Sequence, residues 1–260
     1  MLMKKLLCLV AIAAMIMACS KKEQSGTGLT FEENFKYVAE CCLDSTIPFK
    51  EYETNFEEFL DSIESFVLTD ADADFRHQMR TMPILAMTHI ISPMTDSVEI
   101  SAITDRYEER CKDILYTWYV QQLTDTIENE RCIILSITAA LDELATPIRV
   151  GMSFANNSKD HPVMLIGLPQ GTTDYGLMIF FIPENDEDEI LFLSNDDFVM
   201  SDPSAEEQTI VTITSPEVEK WLMEYKELDI WYQNDGLTAV SVALKRFHEQ
   251  YPAAKEWLME

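Results

Sequence analysis

Along the first half of the chain the apolar residues return at helical spacing. Phe31, Phe35, Val38, Cys42 and Leu43 fall on one face, preceded by Thr30 and with Glu33 at the position that completes a capping box. Phe56, Phe59, Leu60, Ile63, Phe66 and Val67 make the cleanest stripe in the chain. Phe75, Met79, Met82 and Ala86 continue the pattern, interrupted by Pro83. Ile114, Leu115, Trp118, Tyr119 and Leu123 predict a fourth helix, and Ile133, Ile134, Ile137, Leu141 and Leu144 a fifth. Each stripe leaves one apolar face to bury, so residues 30–146 are expected to form a helical bundle.

At Pro147 the period changes. Ile148, Val150, Met152 and Phe154 alternate with Arg149, Gly151 and Ser153, the pattern of a half-buried strand. Val163 to Leu168 and Leu177 to Ile182 are unbroken apolar runs bracketed by Pro and Gly, which predicts strands covered on both faces. Ile190 to Leu193, Phe198 to Met200 and Thr209 to Ile213 read as further strands, and their short polar connections favour an antiparallel meander. Ser215-Pro216-Glu217 opens a helix with Val218, Trp221, Leu222, Tyr225 and Leu228 on its buried face. After Asn234-Asp235-Gly236 a second helix is expected, carrying Leu237, Val240, Leu244 and Phe247 and ending at Pro252. The expected class is therefore α+β. An N-terminal helical bundle over 30–146 precedes an antiparallel sheet with flanking C-terminal helices over 147–260, as two regions or one composite domain.

The opening residues differ from everything after them. Lys4 and Lys5 precede thirteen uncharged residues, Leu6 to Ala18. A helix of that length reaches about 20 Å, short of the roughly 30 Å hydrocarbon core of a bilayer. A basic start, a short apolar stretch and small residues before a polar break describe a secretory signal peptide over 1–18. The ending Ile16-Met17-Ala18-Cys19 resembles the lipobox of bacterial lipoproteins. That resemblance implies cleavage before Cys19, which becomes the mature N-terminus and receives diacylglycerol, with three acyl chains in all, palmitate being a usual one. Three such chains anchor durably where one is marginal. By resemblance to the Gram-negative sorting rule, Ser20 implies the outer membrane. Residues 19–29, polar and holding Gly26 and Gly28, read as a tether.

Composition narrows the functional classes. The 260 residues are 47% hydrophobic and 25% charged, enough apolar mass for a substantial core. With 19 Lys+Arg against 46 Asp+Glu, the formal charge of −27 excludes a phosphate-neutralising nucleic-acid binder. It equally disfavours docking of the body on anionic lipid. The charge is unevenly placed. Between Lys159 and Lys220 the chain has no Lys or Arg, while ten acids lie from Glu184 to Glu207. Glu184, Asp186, Glu187, Asp188 and Glu189 crowd a single segment. Close like charges repel by about 1 kcal/mol per pair even in water. A solvated acidic turn competes with a Ca²⁺ site or a docking face for a cationic or protein partner at 184–207.

Other chemistry is sparse. His77, His89, His161 and His248 are far apart, and no zinc, serine-hydrolase or phosphate-loop motif occurs. Asp70, Asp72 and Asp74 occupy the first ligand positions of an EF-hand loop, but Phe75 replaces its Gly and Thr81 its Glu, so acids opening a helix are expected there. Cys41, Cys42, Cys111 and Cys132 are an even number in an oxidising compartment and allow three disulfide connectivities; their helical contexts equally fit free buried thiols. Asp44-Ser45-Thr46, Asp61-Ser62-Ile63, Asp96-Ser97-Val98 and Asp125-Thr126-Ile127 resemble the acceptor motif of an envelope O-glycosylation system, implying Ser45, Ser62, Ser97 and Thr126 as candidate sites. Trp118, Tyr119, Trp231, Tyr232 and Trp257 are read first as packing aromatics.

The functional expectation is a lipid-anchored, non-catalytic envelope protein that binds a partner or ligand through its acidic surface. No cofactor is expected beyond a candidate Ca²⁺. The alternative is a metal-assisted extracytoplasmic hydrolase built from scattered carboxylates. Mass spectrometry of the native protein is expected to find Cys19 as an acylated N-terminus; an intact leader or an unmodified Cys19 would contradict the lipobox reading.

Overall fold

Thr30 starts the first helix as its spacing to Glu33 requires. Thr30 Oγ1 accepts the Glu33 N–H at 3.3 Å, and the Glu33 carboxylate accepts the Thr30 N–H at 2.8 Å. The structure, a computed structural model, describes residues 28–69, 73–125, 130–139, 148–156, 162–185, 187–201, 208–233 and 236–260. The chain divides into two compact units, Met1–Asp70 with Gln78–Leu115 and Ala71–His77 with Tyr116–Glu260.

The helices of the first part are α1 (Phe31–Leu43), α2 (Phe49–Thr69), α3 (Ala73–Ile91) and α4 (Ser97–Leu115). Phe49 and Phe56 of α2 meet Tyr107 of α4 edge-on at 5.8 and 5.3 Å, while Phe35 of α1 meets Phe59 of α2 at 5.6 Å. These rings bury the α2 stripe read from the sequence. One buried polar pair crosses α1 and α2, with Asn34 Nδ2 donating to Asn55 O and Asn55 Nδ2 to Asn34 Oδ1, both at 2.9 Å. Glu53 and Glu57 stand one turn apart on α2, where their charges would repel. Arg106 of α4 donates to both, at 2.7 and 2.6 Å, and the Tyr107 hydroxyl reaches both at 3.0 Å. Asp96 caps α4 by accepting the Val98 N–H at 2.9 Å.

The second part is β-rich. Its strands are β1 (Tyr119–Asp125), β2 (Glu130–Ala139), β3 (Ile148–Ala155), β4 (Val163–Pro169), β5 (Met178–Ile182), β6 (Leu191–Leu193), β7 (Val199–Met200), β8 (Gln208–Thr214), β9 (Glu227–Gln233) and β10 (Leu237–Ala243). Two helices, α5 (Val218–Glu224) and α6 (Lys245–Met259), accompany them. The strands form a six-stranded sheet in the order β1-β2-β3-β4-β8-β7 and a four-stranded sheet in the order β10-β9-β5-β6, antiparallel throughout. The fold is α+β, as the sequence predicts. Inner rows such as Ile133, Leu135 and Ile137 of β2 and Leu228, Ile230 and Tyr232 of β9 join one core with α5 and α6. Phe181 packs on Trp221 and Tyr225, both at 5.8 Å, and Phe247 on Trp118 at 5.2 Å. Gln250 of α6 clasps the backbone of Trp118, accepting its N–H at 2.9 Å and donating to its C=O at 2.8 Å.

Several sequence expectations are corrected. The helical region ends at Leu115 rather than running to 146: Tyr119–Asp125 and Glu130–Ala139 are paired strands. Ile133, Ile134 and Ile137 satisfy a helical period, but β-branched density and the pairing of each neighbour on β1 and β3 decide for a strand. Most of α4 lies outside the stripes that the sequence predicts, although Ile103, Tyr107, Cys111 and Ile114 form its buried face. The helix expected to open at Ser215 begins only at Val218, with Glu217 in the capping position, and stops at Glu224, so Leu228 belongs to a strand. Leu237 and Val240 lie on β10, and the final helix begins only at Lys245 and continues through Pro252 to Met259. Met178–Ile182 alternates in burial and Val163–Pro169 leaves Leu165 exposed, so their second faces are not fully covered as expected. The Asp70, Asp72 and Asp74 cluster lies outside the residues whose side chains are described.

The Gln250 clasp ties the entry of β1 to the last helix. Gln250→Ala removes two hydrogen bonds to the backbone of one buried residue, Trp118, and is expected to cost about 1–3 kcal/mol. Gln121→Ala on the exposed side of β1 is expected to change little; equal thermal shifts for the two variants would contradict the assignment.

Candidate functional site

Period two does more than fill the core of the four-stranded sheet: it leaves a second row of side chains pointing the other way. On that outer face lie Met178, Phe180 and Ile182 of β5, Phe192 of β6, Glu227, Asp229 and Trp231 of β9, and Leu237, Ala239 and Ser241 of β10, all half-buried or exposed. Register sets their neighbours. Phe180 stands opposite Phe192 on one side and Asp229 on the other, Trp231 is opposite Met178 and Ala239, and Asp229 is opposite Ser241. The Phe180 ring lies 5.2 Å from that of Phe192 and 6.1 Å from that of Trp231, a continuous aromatic surface. Ser241 Oγ donates to Asp229 Oδ1 at 2.6 Å, which holds that carboxylate upright beside the rings. Phe192 is 50% exposed and Leu237 63%. No Lys or Arg occurs in any of the four strands.

The acidic segment borders this face. It is the turn that joins β5 to β6, and Glu184, Glu187, Asp188 and Glu189 are all exposed in it; Asp186 lies outside the described residues. Asn185 Nδ2 donates to Asp188 Oδ2 at 3.1 Å, and the other described carboxylates of the turn project from it into solvent. Beyond β6, Asp197 closes the next turn by accepting the Ser194 N–H at 2.7 Å and its hydroxyl at 2.8 Å. At the far end of the face Gly176 adopts φ +83°, and a Cβ there would lie 3.2 Å from Gln233 Oε1. Only glycine lets that loop approach β9 so closely. Its neighbour Tyr175 is exposed. Among the described residues no group of three or more His, Cys, Asp or Glu side chains is gathered as a metal centre.

Two cavities lie in the helical unit. A small apolar cavity of about 30 Å³ is lined by Phe35, Val38, Cys42, Phe59, Met82 and His89 among others. A cleft of about 280 Å³ adjoins it, with Cys41, Cys42, Tyr52, His89, Asp96 and Glu99 on its walls. Cys41, Cys42, Cys111 and Cys132 are free thiols. Burial pushes the Cys42 and Cys111 thiols up to about 12 and raises that of Cys41, so none of the three is poised as a thiolate nucleophile near neutral pH. Cys132 Sγ lies 3.3 Å from Ser153 Oγ on the six-stranded sheet.

The remaining candidates separate cleanly. Ser45 is exposed in the turn after α1 and Ser97 is exposed at the start of α4, whereas Ser62 lies half-buried inside α2 with its hydroxyl donating to Glu58 O at 2.8 Å. Thr126 and Cys19 lie outside the described residues. His248 is a packing histidine whose Nε2 sits 2.8 Å from Leu222 O. Trp118 is buried, Trp257 lies under the Arg131 guanidinium at 5.3 Å, and Tyr232 is buried, while Trp231 joins the outer aromatic row. The sequence reading, which places β9 at a helix end and in the loop after it and β10 in a helix, does not show that row. The alternation Leu228, Ile230, Tyr232 and the hairpin signal Asn234-Asp235-Gly236 were the available cues. Among the described residues no helix is long and apolar enough to cross a membrane. Comparison with protein-family models, with curated proteins and with solved structures gave no match.

The raised thiols make a pH prediction with a definite sign. Between the ordinary thiol value of 9.0 and about 12 the unfolded chain releases protons that folded Cys42 and Cys111 retain. Stability therefore falls as pH rises through that window, by up to about 1.4 kcal/mol per pH unit for each thiol. Chemical denaturation of the wild type against Cys42→Ser/Cys111→Ser measures it: the variant is expected to show a shallower alkaline slope, and an unchanged slope would contradict the burial of these groups.

Proposed function

We propose that this chain is a lipid-anchored protein of the bacterial envelope, held through Cys19 in the outer membrane, that binds a partner through the acidic side of its four-stranded sheet without catalysing a reaction on it. The observation that carries the reading is the exposed turn at Glu184, Glu187, Asp188 and Glu189, set in sixty residues with no Lys or Arg. Carboxylates held this way raise the local concentration of a cationic partner and steer its approach. The leader and the lipobox-like ending at Cys19 support an envelope location, and residues 19–29, read as a tether, support reach toward a partner there.

Crosslinking capture from detergent-solubilised envelope tests the proposal. Wild-type protein is expected to recover a specific partner. The variant Glu184→Gln/Glu187→Gln/Asp188→Asn/Glu189→Gln is expected to lose about tenfold in association rate at low salt and little at high salt. Recovery of the same partner by both proteins, or of none by either, would overturn the reading.

A further inference from the structure

The outer face of the four-stranded sheet combines two properties that are usually kept apart. It is apolar and aromatic, with Phe192, Phe180 and Trp231 in contact and Leu237 exposed beside them. It is also purely anionic: Glu227 and Asp229 are its charges, the acidic turn borders it, and no cation stands in its strands. A soluble surface rarely leaves such an apolar patch open without a use.

The charge decides what can cover it. A second copy of this chain carries the same −27, and its own anionic face would be pressed against like charges. Anionic lipid headgroups and nucleic acid are repelled for the same reason. A neutral apolar partner would leave Glu227 and Asp229 desolvated and unpaired, at a cost of several kcal/mol per buried charge. What satisfies both properties is a segment with Lys or Arg alternating with aliphatic or aromatic residues. Its apolar side chains cover the aromatic row, its cations reach Asp229, Glu227 and the turn, and a cation above Trp231 or Phe180 gains from the ring face as well.

We infer that the outer face of the sheet formed by β10, β9, β5 and β6 is the docking surface for a basic amphipathic polypeptide segment, gripped by Phe180, Phe192 and Trp231 and oriented by Asp229 and the 184–189 carboxylates. This names the partner chemistry for the function proposed above and rests on that reading. Phe192 and Trp231 supply the grip, and the acids supply direction and on-rate.

The experiment is fluorescence anisotropy of short labelled peptides against the full-length protein in detergent. One peptide alternates Lys with Leu, a second Glu with Leu, a third Lys with Ser. The Lys/Leu peptide is expected to bind about tenfold or more tightly than either control, and Phe192→Ser/Trp231→Thr to weaken it by about tenfold or more. Leu165→Ser, on the exposed face of the other sheet, is expected to leave binding unchanged, with all variants unfolding at near wild-type temperature. Equal binding of the Lys/Ser peptide, or undiminished binding by the folded Phe192→Ser/Trp231→Thr variant, would overturn the inference. Loss on neutralising the turn alone, with the aromatic variant unaffected, would overturn it while leaving the acidic side as a binding face. Failure of envelope capture with peptide binding intact would instead remove the proposed function and support the surface chemistry.

Discussion

The β-rich unit depends on one constraint: two antiparallel sheets must turn the same alternate residues toward a shared core. Ile133, Leu135 and Ile137 from β2, Ile179 and Phe181 from β5, and Leu228, Ile230 and Val242 from β9 and β10 are all fully or almost fully buried. Each Leu, Ile or Phe so placed contributes about 1.5–3 kcal/mol over exposure. The strictness follows from strand geometry, because a slip of one residue would exchange Leu228, Ile230 and Tyr232 for Glu227, Asp229 and Trp231. Burying those two carboxylates is prohibitive, so the acids reinforce the register that the apolar residues select.

The same constraint explains where the charge goes. A chain with 46 acids cannot pair them with 19 basic residues, so the surplus must stay hydrated. In the helical unit Arg106 bridges Glu53 and Glu57, and Arg110 reaches Asp61, so cations are spent where acids crowd on neighbouring helices. In the sheets no such partners are available between Lys159 and Lys220, and the described acids of that stretch lie mainly in turns. The outer row of the four-stranded sheet is the place where both kinds of surplus, uncovered aromatic area and uncompensated carboxylate, coincide. The proposed role and the inferred partner chemistry grow out of that coincidence.

Legibility in the sequence followed the strength of the local signal. The α2 stripe, the Thr30 capping box and the six strands between Ile148 and Thr214 were readable because period, flanking Pro or Gly and length agreed. The failures cluster where a short apolar run fits both periods. Ile133, Ile134 and Ile137 match a helix face, yet Ile133, Leu135 and Ile137 match a strand, and only pairing with β1 and β3 breaks the tie. Glu227 to Ala243 are obscured for a second reason: Ser-Pro-Glu just upstream matches a helix start and predicts a longer helix than Val218–Glu224, which ends at the Tyr225 cap. The acidic turn was visible as composition, but its border with Phe180, Phe192 and Trp231 is a product of register across three strands and has no counterpart in linear order.

Both faces of the four-stranded sheet thus depend on its register, and hydroxyl-radical footprinting of the native full-length protein measures it residue by residue. Phe192, Leu237 and Tyr175 are expected to be modified rapidly, while Phe181, Ile230 and Val242 stay protected until the protein unfolds. Protection of Phe192 and Leu237 to the level of Phe181 would contradict the account, because the outer face would then be either covered or turned inward.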